Sequence, residues 1–192
     1  MKCSEILVQD HTIIRRGLDI VDGMLKKLQD GQRIEICDAA SILKFLRIFT
    51  DQYHQAMEER VLFPALLGAT PSNGMLLQLA SEHSGERALV AEIEDSLMSR
   101  RGMAFFRGAH ELTSLLRTHC ETEETLVCDL AEKHLSKEQD DEIVAQFLSS
   151  RTQVEGFAKF SILERRYTRK PSTDVVKHDY SRPRPQGVAS SL

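Results

Sequence analysis

Four of the seven histidines in this chain stand where metal ligands would be expected. His54 and His119 each begin the same motif: a glutamate follows four positions later, as Glu58 or Glu123, and a second glutamate comes directly after it. Residues four positions apart lie on one face of a helix, about one turn apart. Each motif therefore presents an imidazole and a carboxylate to one point, and two copies are a strong indication of metal binding.

The other two histidines, His11 and His83, each follow an acidic residue, Asp10 or Glu82. The order of acidic residue and histidine, helical hairpin, and His–Glu–Glu motif thus occurs twice. Such a repeat predicts two related halves with a metal pair on a pseudo-two-fold axis. Asp10 and Glu82 are candidates to orient ligating imidazoles from behind.

Helices must position these residues, because apolar residues recur every three or four positions in four long segments. In the first segment the recurring positions are Leu7, His11, Ile14, Leu18, Val21, Leu25 and Leu28. The breaks between segments fall near Asp30-Gly31, between Gly68 and Gly74, and at Arg100-Arg101-Gly102. Alternating strand patterns are absent from the sequence. The pattern predicts an all-α fold, an antiparallel up-down four-helix bundle over residues 1–135.

The chain changes character after the fourth segment. A further helical pattern over residues 136–167 predicts an additional C-terminal helix packed on the bundle or extending it, with Gly156 as a candidate interruption. Residues 168–192 contain prolines, few apolar residues and more basic than acidic ones, which predicts a flexible basic tail.

Each of the four segments places one of the four histidines on its apolar side. The second and fourth segments each add one motif glutamate, Glu58 or Glu123. Burying these groups is costly unless each finds a partner. Arg87, one turn from His83, could pair with one of the glutamates. A metal satisfies all of them, and six nitrogen and oxygen ligands are too many for one zinc ion. The donor set predicts two iron ions bridged by the carboxylates, with manganese less favoured.

Composition and compartment signals exclude several classes. The net charge of −4 argues against a nucleic-acid binder. The apolar run near the N-terminus is too short for a signal peptide or a membrane span, so no membrane association is expected. The four cysteines form no CxxC pair, which favours a reducing, cytoplasmic location.

These motifs resemble the hemerythrin family, in particular bacterial hemerythrin-like proteins with an HHE cation-binding domain. The resemblance covers roughly residues 5–133, and the segment Glu58-Glu59-Arg60-Val61-Leu62-Phe63-Pro64 is similar to the family's second-helix signature. It implies a centre of two iron ions, bridged by an oxo or hydroxo ligand when oxidised. The implied iron ligands are His11, His54, His83 and His119, with Glu58 and Glu123 bridging.

Two departures from the oxygen-carrying hemerythrins matter for function. Those proteins have five histidines, two of them as HxxxH on the third helix, and close the site with HxxxxD. Here Arg87 stands four positions after His83, and the last motif is HxxxE. A site one imidazole short leaves a coordination position open, which favours a sensor, a peroxide- or nitric oxide-reactive centre or an iron handler over oxygen carriage.

Two further residues are candidates for contact with the metals or their ligand. Tyr53 precedes His54 and could donate to a bound ligand or ligate iron, although core packing also explains it. Glu86 could replace the missing histidine, although a surface or supporting role also explains it. His110, His134 and His178 are expected to be ordinary surface residues.

Three functions are compatible with the sequence, and the first of them is the preferred interpretation. The first is a di-iron protein that binds O2 or nitric oxide for sensing, storage or delivery. The second is a di-iron oxidoreductase that reduces peroxide or nitric oxide, or an iron-handling stress-response protein. The third is a structural bundle whose polar seam fixes register. A monomer or a homodimer is expected.

Overall fold

The structure is a computed structural model that describes residues 1–69 and 73–168, and it is helical in both ranges. The α-helices are α1 (Cys3–Gln29), α2 (Ile36–Leu46), α3 (Phe63–Ala69), α4 (Asn73–Met98), α5 (Gly102–His134), α6 (Lys137–Arg151) and α7 (Phe157–Tyr167). Between α2 and α3 the chain continues as two π-helical segments, Arg47–Gln55 and Glu58–Leu62. The described residues form no strand, so the predicted all-α class is confirmed.

The π-helical turns alter which residues of the second segment face inward. Their wider hydrogen-bonding pattern is seen where the backbone N–H of Ala56 donates to the carbonyl of Asp51. Three consecutive residues, Tyr53, His54 and Gln55, are all buried. A regular amphipathic α-helix would turn at least one of them towards solvent.

The core lies between the apolar faces of the long helices. Helix α1 packs against α5 and α2, and α4 packs against α5. The recurring apolar residues of the first segment are buried between Leu7 and Leu25. The residues that recur with the helical period therefore form the face of α1 that packs against its neighbours.

The C-terminal region contains two helices where the sequence predicted one. Ser136 caps α6 by accepting a hydrogen bond from the backbone N–H of Gln139. Helix α6 ends at Arg151, and Gly156 starts the next helix with a φ of 101°. Because only glycine adopts that conformation without strain, the chain turns there and α7 runs separately. Helix α6 packs against α1 and the second π-helical segment, and α7 packs against α1 and α2.

A buried carboxylate, Asp38 of α2, fixes helix α7. Lys159 Nζ donates to Asp38 Oδ1 at 2.9 Å, the Tyr167 hydroxyl donates to Oδ2 at 3.0 Å, and Arg166 also pairs with Oδ2. Helix α7 also lies very close to Gly23 of α1, where an added Cβ would overlap the backbone carbonyl of Tyr167.

The predicted basic tail, 168–192, lies outside the described residues except for Thr168. No helix within the described ranges is both long enough and apolar enough to cross a membrane.

Candidate metal centre

Four imidazoles meet in the interior, one each from α1, the first π-helical segment, α4 and α5. His11, His54, His83 and His119 are at most 5% exposed. His11 Nε2 lies 3.1 Å from His54 Nε2, and His83 Nε2 lies 3.0 Å from His119 Nε2. The four rings therefore form two pairs with their Nε2 atoms facing inward.

Glu123 lies between these pairs and offers one oxygen to each. Its Oε2 is 3.2 Å from His11 Nε2, and its Oε1 is 3.1 Å from His119 Nε2. The side chain is fully buried. One carboxylate thus spans both imidazole pairs.

Glu58 spans the same two pairs. Its Oε1 is 3.5 Å from His54 Nε2, and its Oε2 is 3.6 Å from His83 Nε2. It too is fully buried. Within residues 1–69 and 73–168, neither of its oxygens has a hydrogen-bond partner.

The six residues therefore form two groups that share both carboxylates. Position A comprises His11 and His54 with the shared glutamates, and position B comprises His83 and His119 with the same glutamates. The candidate ligand atoms of each group lie within 4.8 Å of one another. The structure brings together all six residues that the sequence singled out as metal ligands.

These residues fit a pair of metal ions. Two ligands at right angles on bonds of about 2.1 Å lie about 3.0 Å apart, and the facing nitrogen atoms of each pair match that separation. The unpartnered oxygens of Glu58 are what a bridging carboxylate would present before metal binds. Imidazole and carboxylate donors together suit iron or manganese.

Behind the centre, the outer nitrogen of each imidazole faces a carboxylate. His11 Nδ1 lies 3.1 Å from Glu124, and His83 Nδ1 lies 2.9 Å from Glu59. These partners are the second glutamates of the two motifs. The repeated glutamate pair is the sequence signal for this role, which the spacing of the motifs alone does not predict.

The other two imidazoles are supported by the acidic residues that precede the first and third histidines. His54 Nδ1 lies 3.6 Å from Asp10, and His119 Nδ1 lies 3.3 Å from Glu82. Each carboxylate thus faces the histidine of the other helix in its own half. All four pairings obey the pseudo-two-fold relation of the repeat.

Two arginines extend the same relation outward. Arg15 holds Glu124 with two hydrogen bonds of 2.7 and 3.0 Å, and Arg87 pairs with Glu59 and, at 2.6 Å, with Asp51. Arg87 therefore contacts neither bridging glutamate, contrary to the pairing considered from sequence. Each arginine stands four positions after a histidine of the centre and fixes the carboxylate behind that histidine.

The family model for the hemerythrin HHE cation binding domain matches residues 4–131, two thirds of the chain. The chain belongs to the hemerythrin family. This membership implies cation binding, and the two buried groups are where the chain could hold the cations. No curated protein and no solved structure matches the chain.

Two residues near this hemerythrin centre lie outside the two ligand groups. Tyr53 is buried edge-on against Phe49 and Phe147, and its hydroxyl has no hydrogen-bond partner within the described ranges. Glu86 is buried, accepts a hydrogen bond from Gln55 and lies 3.7 Å from His119 Nδ1. Tyr53 therefore packs among aromatic side chains, and Glu86 lies behind an imidazole of position B.

Burial and mutual contact shift the pKa values of this hemerythrin site. Burial, with the negative charge of Glu123, raises the pKa of Glu58 well above its ordinary value. Burial opposes ionisation of Glu123, but hydrogen bonds from His11 and His119 outweigh it and lower its pKa. Burial lowers the pKa of His54. Burial also disfavours a charged His119, yet Glu123 raises the pKa of His119 to about 9. Without metal, protons thus occupy part of the ligand set.

Burial also shifts the pKa values of Tyr53 and Glu86. It raises the pKa of Tyr53, with a further contribution from the negative charge of Asp10, and it raises the pKa of Glu86. The three remaining histidines lie elsewhere: His110 and His134 are exposed, and His178 is outside the described residues.

Proposed function

We propose that this protein holds two iron ions at a carboxylate-bridged centre and binds O2 or nitric oxide there for sensing, storage or delivery. The observation that carries the proposal is the sharing of both buried glutamates by two histidine pairs. A single metal ion would leave one imidazole pair facing an empty interior. Two ions satisfy all four imidazoles and the unpartnered oxygens of Glu58 together.

In this proposal His11 and His54 hold the first ion, His83 and His119 hold the second, and Glu58 and Glu123 bridge them. Iron is favoured over zinc because the facing nitrogen atoms of each pair are 3.1 and 3.0 Å apart, which matches ligands at right angles, whereas zinc sites in proteins are almost always tetrahedral. Imidazole and carboxylate donors suit iron and manganese, and the family resemblance favours iron.

The protein's own groups prepare the centre. Carboxylates at the Nδ1 atoms favour the tautomer in which each Nε2 lone pair faces inward. The arginines beyond Glu59 and Glu124 hold two of these carboxylates in place. The apolar surroundings exclude bulk water. Bound iron would supply the reversible binding of a small ligand or its redox chemistry.

The alternative function is a di-iron oxidoreductase that reduces peroxide or nitric oxide. It is favoured by the presence of two imidazoles rather than three at position B, because a free coordination position admits a reacting ligand. Burial raises the pKa of Glu86, which lies behind His119 of position B and could take part in proton transfer there. A role in iron handling would use the same open position.

The optical response of the reduced, iron-loaded protein to O2 separates these functions. A persistent oxygen-to-iron charge-transfer band, reversed by removing O2, is the result expected for binding or sensing. Rapid conversion to a diferric spectrum with turnover of added peroxide or nitric oxide would establish the enzymatic alternative. Iron-loaded protein with no spectral response to any of the three ligands contradicts both.

The organisation of the chain completes the proposal. We assign the metal-binding antiparallel four-helix bundle to residues 1–135, an accessory region to 136–167 and a basic tail to 168–192. The packing of α1 on α5 and of α5 on α4 supports the bundle. Four unpaired cysteines favour the cytoplasm, where thiols stay reduced.

A further inference from the structure

Asp10 is the most enclosed of the four carboxylates that support the imidazoles. Its side chain is fully buried, whereas those of Glu124, Glu59 and Glu82 are 26%, 31% and 41% exposed. Within the described ranges neither of its oxygens makes a hydrogen bond. A buried carboxylate in this setting needs a cation to hold it.

Helix α6 supplies that cation. Arg151, its last residue, places Nη1 3.3 Å from Asp10 Oδ1, and Asp10 Oδ2 lies 3.6 Å from His54 Nδ1. The same helix covers the site with Phe147, which is fully buried and packs edge-on against Tyr53. Helix α6 begins at Lys137, beyond the matched hemerythrin domain.

We propose that Arg151 is a positioning residue for metal position A, acting through Asp10 on His54. Its ion pair fixes the carboxylate behind the imidazole, which in turn fixes the ring orientation and the tautomer. Docking of α6 and metal binding at position A then strengthen one another, because coupling between two sites is reciprocal. This role rests on the proposed two-metal centre.

The corresponding carboxylate of position B is more exposed. The residue related to Asp10 by the repeat is Glu82, which supports His119 and is 41% exposed. The arginine that serves position B is Arg87, acting through Glu59 on His83. The accessory helix therefore makes the two metal positions unequal, and Arg87 provides a matched control.

The test is an anaerobic titration of the full-length chain with Co2+, followed by its visible absorption. Wild-type protein is expected to bind two equivalents. Arg151→Gln is expected to weaken one equivalent by about 10- to 100-fold and to leave the other unchanged. Arg87→Gln is expected to weaken one equivalent as well, and the double variant both.

Two further measurements separate positioning from a merely structural role. Metal is expected to increase the hydrogen-exchange protection of α6 amides in the wild type and not in Arg151→Gln. Arg151→Lys keeps the charge and is expected to restore most of the lost affinity. A lysine variant as weak as the glutamine variant would contradict the ion pair.

Failure of the proposed two-metal centre and failure of the proposed role of Arg151 give different results. Wild-type protein that binds fewer than two equivalents overturns the proposed centre itself. Wild-type protein that binds two, with Arg151→Gln binding both at unchanged affinity or losing both equally, overturns only the role of Arg151.

Discussion

Replacing Glu58 with methionine should stabilise the metal-free protein while removing its response to metal. Glu58 is fully buried, and neither of its oxygens has a hydrogen-bond partner in the described part of the chain. A buried polar group without a partner costs about 1–3 kcal/mol. Methionine has a similar shape and no such cost, and replacing buried charges by apolar groups is often stabilising.

The expected gain for Glu58→Met is therefore about 1–3 kcal/mol in the free energy of unfolding of the metal-free protein. At about 3 °C per kcal/mol for a chain of this size, Tm rises by about 3–9 °C. Bound metal should favour the wild type over the variant. Metal at 100 times its Kd stabilises the wild type by about 2.7 kcal/mol per site, and the variant loses a ligand from both sites.

The assay is thermal unfolding followed by circular dichroism, with chelator and with Fe2+ under anaerobic conditions. Glu111→Met, at an exposed position of α5, is the matched control and should change stability by less than about 0.5 kcal/mol in either condition. A lower Tm of Glu58→Met in chelator, or an equal rise of Tm with Fe2+ in variant and wild type, would contradict the roles assigned to Glu58.

Four further outcomes are expected. Metal binding should release protons, because the pKa of His119 is raised to about 9 without metal. Calorimetry in buffers of different ionisation enthalpy should detect the released protons. The affinity for metal should also rise with pH up to about pH 9. Asp38→Asn should cost about 1–3 kcal/mol at neutral pH. Burial opposes ionisation of Asp38, but the two cations of α7 lower its pKa, so its contribution is present above about pH 4 and should vanish as pH falls below the folded-state pKa in acid unfolding curves. Gly23→Ala should destabilise the protein and increase hydrogen exchange in α7 despite alanine's helix preference of about 1 kcal/mol, because the added methyl overlaps the Tyr167 carbonyl. Deleting 168–192 should leave the iron content unchanged, and loss of iron would place the tail in the site.

The sequence was most informative where local periodicity and side-chain chemistry act together. The spacing of Leu7, Ile14, Leu18 and Val21 predicted the buried face of α1, because the period of an α-helix is fixed by its backbone. The six candidate ligands could be identified because each combines a buried position with a polar side chain. Burying six such polar groups is too costly unless a shared interaction, such as metal binding, satisfies them together.

The remaining features depend on contacts between distant segments. That Asp10 faces His54 rather than its neighbour His11 follows from how the helices are arranged, which residue spacing does not specify. The π-helical turns around His54 leave no simple periodic pattern. The pairing of Arg151 with Asp10 joins residues 141 positions apart, and it depends on the docking of a helix outside the repeat.

Iron stoichiometry of the purified chain tests the central claim most directly. Reconstitution with excess Fe2+ under anaerobic conditions, followed by desalting and elemental analysis, should give two iron ions per chain. One iron ion per chain or fewer would contradict a shared-carboxylate centre, because at least one imidazole pair would then lack the ion that justifies its burial.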